Sequence, residues 1–268
     1  MIIDKIIRRL RRSFEQSAQL WREGNRFKSV AFFPLAVVKL KLPMAFSIAA
    51  QTMIIRPGTP DLSVVTESLS GEFDKAIQAA APLQYGLIVD AGGYIGTAAV
   101  AFARAFPNAS VVTLEPSRDN FKILSQNVAR YPNITAINKA LGRSEGSITL
   151  VSRGTGEWGF SIVQKPADNA SPRTLHDVEV TCIPALLKAF GKDGIDLLKL
   201  DIEGGEYDLL NDLPAWLQST RVIFAELHER IVPGCEELFR RVTANRRSID
   251  AHGEKVLSIL ATPELISH

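Results

Sequence analysis

The stretch Leu87-Ile88-Val89-Asp90-Ala91-Gly92-Gly93-Tyr94-Ile95-Gly96 reads as a short apolar strand, a glycine turn and the start of a helix. That order constrains the fold strongly, because a buried strand feeding straight into a helix is the first half of a βαβ unit. Onward from it, short apolar runs alternate with helical patterns, the mark of a parallel sheet covered on both faces. Strands are predicted over 86–90, 110–115, 134–139, 195–201 and 221–227, with helices over 96–106, 117–130, 184–190 and 205–213. A last helix over 236–247 and a strand over 255–260 predict that an antiparallel strand finishes the sheet. The expectation is a doubly wound, mostly parallel α/β domain over residues 81–268.

Residues 1–80 stand apart as an N-terminal extension. Their first thirty contain eight Lys and Arg against three Asp and Glu, a balance of +5 in a chain whose net charge is +2, which leaves −3 for the remainder. Ile3, Ile6, Ile7, Leu10 and Phe14 recur at helical spacing with arginines between them, describing a basic amphipathic helix. Such a helix either docks on the domain with a solvated basic face or makes peripheral contact with an anionic membrane. The extension is also a place where a second copy of the chain could pair. Residues 30–55 are apolar but broken by Pro34, Lys39, Lys41 and Pro43, and read as buried strand or hairpin.

The small net charge argues against a dedicated nucleic-acid binder, which normally shows a large basic excess. Two cysteines, Cys182 and Cys235, cannot build a disulfide framework, and with no secretory signal pattern the expected setting is cytoplasmic. Between Val151 and Val178 the glycines and prolines predict a long irregular loop. Its Glu157, Trp158 and Phe160 either close over a substrate or anchor the loop to the core.

Three constellations carry chemistry. In the first, glycines let the backbone approach a ligand outside the carboxyl end of the first strand, and Glu115, twenty-five residues after Asp90, ends the second strand where it can accept ribose hydroxyls. Ala91 occupies the first glycine position of a dinucleotide fingerprint, and the carboxylate of Asp90 disfavours a pyrophosphate beside the helix start. The same carboxylate suits S-adenosylmethionine, which is cationic and carries no phosphate. In the second constellation, Lys199-Leu-Asp-Ile-Glu-Gly-Gly-Glu206 ends the fourth strand and brings Asp201 to the same crevice, with Glu203 behind it and Glu206 favouring a helix start. In the third, Glu226 and His228, two residues apart, share a face next to Asp201. Asp201, Glu226 and His228 could hold a divalent metal or supply a general base.

In this order, Asp90-Ala-Gly-Gly-Tyr-Ile-Gly96, Leu114-Glu115-Pro116 with Asn120, Asn138-Lys-Ala-Leu-Gly142, the 199–206 motif and Glu226-Leu-His228 resemble the FkbM-type methyltransferase family. Ile55-Arg-Pro-Gly-Thr-Pro-Asp-Leu62 resembles a segment that often precedes that core, so the likeness spans residues 54–228. It implies a class I, Rossmann-like methyltransferase fold, S-adenosylmethionine as donor, and O-methylation of a hydroxyl on a sugar, glycan or natural product. It implies cofactor-binding roles for Asp90, Gly92, Gly96, Glu115 and Asp201, with Asn138 to Ala140 lining the adenine. Gly93 stands in the same turn, where the family often has Ala, and Asp201 and Glu203 match the acidic motif beside the acceptor. From methyl-transfer chemistry, Asp201 is the first choice as base, with His228 and Glu203 as alternatives. Two alternatives are a nicotinamide-dependent oxidoreductase, disfavoured by Ala91 and the acid-rich crevice, and a non-catalytic nucleoside-binding scaffold.

Overall fold

The computed structural model describes residues 2–83, 86–168 and 172–261. Helices α1 (Ile2–Arg22) and α2 (Arg26–Val38) pack as an αα-hairpin, and strands β1 (Met44–Ile48) and β2 (Gln51–Ile55) follow as an antiparallel pair. Two short helices, α3 (Asp61–Glu67) and α4 (Asp74–Ala80), lead into the main sheet.

That sheet is entered by β3 (Leu87–Ala91), α5 (Thr97–Ala105), β4 (Ser110–Leu114), α6 (Arg118–Val128) and β5 (Ile134–Ile137). A smaller sheet then intervenes, built from β6 (Ala140–Leu141), β7 (Gly146–Ser152), β8 (Phe160–Ser161) and β9 (Arg173–Thr181). The chain returns through α7 (Ile183–Phe190), β10 (Ile195–Leu200), α8 (Glu206–Leu210), β11 (Thr220–Glu226) and α9 (Cys235–Val242), and ends in β12 (Arg246–His252) and β13 (Lys255–Leu260). The seven strands lie in the order β12-β13-β11-β10-β3-β4-β5. The five from β11 to β5 are parallel, and β13 runs antiparallel to both its neighbours. This is the expected doubly wound α/β sheet, with its order reversing between β3 and β10.

Side-chain alternation explains why the strands are apolar throughout. Val89, Val112, Leu198 and Ile223 pack into one core with α7 and α9, while Ile88, Val111, Leu197 and Val222 pack into another with α4 and α5. Each such fully buried side chain contributes roughly 1.5–3 kcal/mol of transfer free energy. A third core joins Phe32, Phe46, Met53 and Leu62 of the extension to Tyr94, Ile95 and Ile123.

Three local expectations need correction. Of residues 30–55, expected as buried strand or hairpin, 44–55 do pair as β1 and β2, but 30–38 belong to helix α2, because Ser29, Phe32 and Ala36 recur at helical spacing on the buried side and Pro34 faces solvent. The 151–178 stretch is not one irregular loop. Its glycines and prolines lie between strands, and the flanking segments pair as β7 and β9, while 169–171 fall outside the described residues. The last helix stops at Val242 instead of Arg247. The buried guanidinium of Arg246 donates to Ser258 Oγ and to the carbonyls of Leu217, Thr220, Arg221 and Ser258, which pins the chain as an edge strand.

Candidate active site

A cavity of about 450 Å³ opens at the carboxyl ends of β3 and β10, where the strand order reverses. This is where open α/β sheets place their ligands. The glycine turn forms its floor. Gly92 has φ +83°, and a Cβ on it would lie 1.8 Å from the Asp201 carbonyl oxygen, so only glycine lets the ends of β3 and β10 come this close. The turn is tied to β4 by Gly92 and Gly93 N–H groups that both donate to Leu114 O. Gly96, also at positive φ, closes the turn against α6, where an added Cβ would meet Val128 at 2.9 Å.

Glu115 forms one end of the cavity. It is buried, and its two carboxylate oxygens accept from the backbone N–H groups of Tyr94 (2.9 Å) and Ser117 (2.8 Å). Burial pushes its carboxyl up to about 7, against the pull of those N–H groups. Asn138 does not line the cavity; it donates to the carbonyls of Glu115 and Pro116 and holds this corner, while Ala140 is part of the wall.

Asp201 and Glu203 stand at the other end with Lys199 between the two strands. The buried Lys199 ammonium lies 3.3 Å from both Asp90 Oδ1 and Asp201 Oδ2 and donates to Gly92 O at 3.0 Å. Asp90 therefore sits beneath the cavity rather than on it, bonded by Thr113 Oγ1 and paired with Lys199. Its charge is matched by Lys199, which removes the free carboxylate expected beside the helix start. Although burial alone would raise it, Asp201 is held below the ordinary carboxylate range by Lys199 and by His228.

His228 is fully buried. Its Nδ1 lies 3.1 Å from Glu206 Oε1, and its Nε2 lies 3.8 Å from Asp201 Oδ1 and from Glu203 Oε2 and 4.0 Å from Glu226 Oε1. Burial pulls the imidazole down, but the hydrogen bond and charge of Glu206, with the carboxylates of Asp201 and Glu203, carry it up to about 9. Glu206 does more than favour a helix start: it is wholly buried and also accepts from Ile202 N and Gly204 N, fixing the turn that presents Asp201 and Glu203. Burial pushes Glu203 up to about 7 despite the nearby imidazole.

Ligand atoms of Asp201, Glu203 and His228 lie within 4.8 Å of one another, so Glu203 replaces Glu226 in the tightest set that could hold a divalent ion. Two cations already neutralise these acids, Lys199 on Asp201 and the buried Arg153 on Glu203. An ion bound there would share the two carboxylates with these cations.

Several residues that organise the site have a role that their local sequence does not reveal. Arg56 and Asp61 form a buried bidentate pair, Arg56 also donates to Asn120, and the Tyr94 hydroxyl donates to Asp61 at 2.5 Å. Tyr94, a non-glycine residue at φ +50°, is thus clamped at both its hydroxyl and its N–H, the latter on Glu115. The visible signal was Arg and Asp five residues apart in an otherwise apolar and turn-rich segment. From just past β7, Arg153 reaches Glu203 and Asp168, and the Asn120 amide and Lys41 hold Glu157 at the loop tip, so Trp158 and Phe160 wall the cavity. Arg56→Ala leaves the Asp61 carboxylate buried without its cation, and the expected loss is about 3–5 kcal/mol of unfolding free energy by urea titration. A loss below about 1 kcal/mol would show that the network does not hold this corner.

Residues 90–248, more than half of the chain, match the methyltransferase FkbM domain. The chain is 27% identical over 151 residues to methyltransferase sdnD of Sordaria araneosa, covering 46% of this chain and 58% of that protein. It is 26% identical over 145 residues to methyltransferase 1 of Beauveria bassiana (strain ARSEF 2860), covering 47% and 57%. The match thus spans a little under three fifths of each relative's length. Among solved structures, a methyltransferase from Geobacter sulfurreducens is 17% identical, with 71% of this chain and 76% of that one covered and a TM-score of 0.41. Magnesium protoporphyrin IX methyltransferase from Synechocystis PCC 6803 is 11% identical, with 75% and 83% covered and a TM-score of 0.42. The fold assignment rests on the strand order itself. With the glycine turn, the acid ending β4 and the acidic motif ending β10 all meeting at one cavity, the chain belongs to the methyltransferase FkbM domain family.

Proposed function

We propose that this chain transfers a methyl group from S-adenosylmethionine to a hydroxyl oxygen of a small-molecule or glycan acceptor. The observation that carries the reading is the pairing of Glu115 and Asp201 across one cavity at the switch point. The residues present fit this cofactor. Among the described cavity-lining residues, Glu115 pairs with no cation, so its acceptor capacity is open to the ribose hydroxyls of this ligand. Glu115 would accept the ribose hydroxyls with lone pairs left free by Tyr94 and Ser117, and Ala140 would border the base.

When bound, the cofactor supplies an activated methyl group on a sulfonium whose departure as a neutral thioether needs no acid. The protein's tasks are then to align the acceptor, take its proton and keep water out. In this reading Asp201 accepts that proton, supported by its position at the cavity and by Lys199, which lies 3.3 Å from its Oδ2. Glu203 is the second choice, since its raised pKa makes it a stronger base but Arg153 occupies it. His228, carried up to about 9, is protonated at neutral pH and serves instead to position the two carboxylates. Because charge is dispersed in the transition state, the Trp158 loop favours reaction by excluding water.

Calorimetry of the purified chain with S-adenosylmethionine and, separately, with NAD tests the cofactor. Micromolar binding of the first and none of the second is expected. Binding of NAD alone would overturn the proposal. Tight S-adenosylmethionine binding without transfer to any member of a sugar and natural-product hydroxyl panel would favour a non-catalytic scaffold.

A further inference from the structure

The αα-hairpin is docked with its apolar stripe turned outward. On α1 the inward contacts come from Ser13, Ser17 and Leu20, and Ser17 Oγ donates to Ser29 O of α2 at 2.7 Å. Ile7, Leu10, Phe14 and Trp21, which share one stripe by their spacing, are 40–66% exposed. On α2 apolar residues lie on both faces. Ser29, Phe32 and Ala36 are buried, while Phe27 (94% exposed), Val30 and Val38 form the outward stripe. Among the described residues, ten of the twelve large apolar side chains left exposed lie between Ile6 and Leu42. The side chain of Ile3, expected in the same stripe, lies outside the described residues.

Scattered exposed apolar residues are ordinary, but a contiguous face on two adjacent helices marks a contact surface. Its charge identifies the occupant. Lys5, Arg8, Arg9, Arg11, Arg12, Arg22, Arg26 and Lys28 surround it, and the first thirty residues balance to +5. A second copy related by a two-fold axis would set one such segment against another, with like charges facing. Anionic lipid headgroups complement both the arginines and the apolar stripe, and Trp21 is of the type that settles at a headgroup boundary. No helix among the described residues is long and apolar enough to cross a membrane. The apolar run extends through Leu40 and Leu42 around Lys41, whose ammonium pairs with Glu157 at the tip of the loop that walls the cavity.

We propose that the α1–α2 hairpin is a docking face for an anionic phospholipid bilayer, with its apolar stripe inserted at headgroup depth and its arginines on lipid phosphates. The test is co-sedimentation of the full chain with phosphatidylcholine vesicles, with and without phosphatidylglycerol. Methyl transfer plays no part in this readout, so it stands or falls apart from the proposed function. Binding is expected only to the anionic vesicles, weakening as salt rises. Phe14→Asp with Phe27→Asp, and separately Arg8→Glu with Arg12→Glu, are each expected to weaken binding about tenfold or more with unchanged melting temperature. Absence of binding by the wild-type chain, equal binding to neutral vesicles, or a dimer in light scattering that the Phe pair dissolves without any vesicle binding would each overturn the proposal. Should either variant melt early, the lipid and salt dependence of the wild-type chain decides alone.

Discussion

Glu115→Ala is expected to weaken S-adenosylmethionine binding by about 10²–10⁴-fold, because a hydrogen bond to a charged acceptor is worth about 1.5–3 kcal/mol and two ribose hydroxyls lose theirs together. Alanine also strands the N–H groups of Tyr94 and Ser117, which the carboxylate now satisfies. Glu115→Gln keeps the size and part of the bonding, so an intermediate loss is expected from it. The pH dependence has a definite sign. Burial pushes the carboxyl up to about 7, so the free protein at pH 6 holds it largely protonated. Ribose hydroxyls donate best to the ionised form, and affinity should therefore rise as pH increases through about 7 and then level off. Calorimetry across pH 5.5–8.5 for wild type and Glu115→Gln checks this, about one to two pH units either side of the titration. A pH-independent affinity that Glu115→Ala leaves within threefold, roughly 0.6 kcal/mol, would remove Glu115 from the cofactor site.

What was legible in the sequence was what local pattern encodes. The strands 87–91, 110–114, 195–200 and 220–226 are buried on both faces, so their apolar runs announce them, and the reversal of order puts Glu115 and Asp201 at one crevice. What was hidden depended on contacts between distant segments. Asp90 reads as a free acid beside a helix start until Lys199, 109 positions later, is seen to pair with it. A lysine inside an apolar strand was itself a clue, because such a residue is almost never buried without an acid. Glu206 looked like an ordinary first-turn acid; only the return of β11 brings His228 to it. The outward turn of the α1 stripe could not be read at all. Periodicity shows that a helix has two faces, and the packing of Ser13, Ser17 and Leu20 decides which one is covered.

Asp201→Asn should lower kcat by about 10²–10⁴-fold on any hydroxyl acceptor that supports turnover, the range for loss of a positioned general base, with cofactor affinity changed only a few-fold. The amide keeps the volume and can still contact Lys199, whose charge remains matched by Asp90 at 3.3 Å. The three candidate bases separate by pH. Asp201 is held below the ordinary carboxylate range, so kcat at saturating cofactor should stay level well into acid. Glu203 as the base would make kcat fall below about 7, and His228 would make it fall below about 9. Glu203→Gln supplies the control. If it abolishes turnover while Asp201→Asn keeps most of it, the proton goes to Glu203 and Asp201 only positions the acceptor. Full turnover by Asp201→Asn with normal acceptor binding would end its assignment as base, whatever the shape of the pH profile.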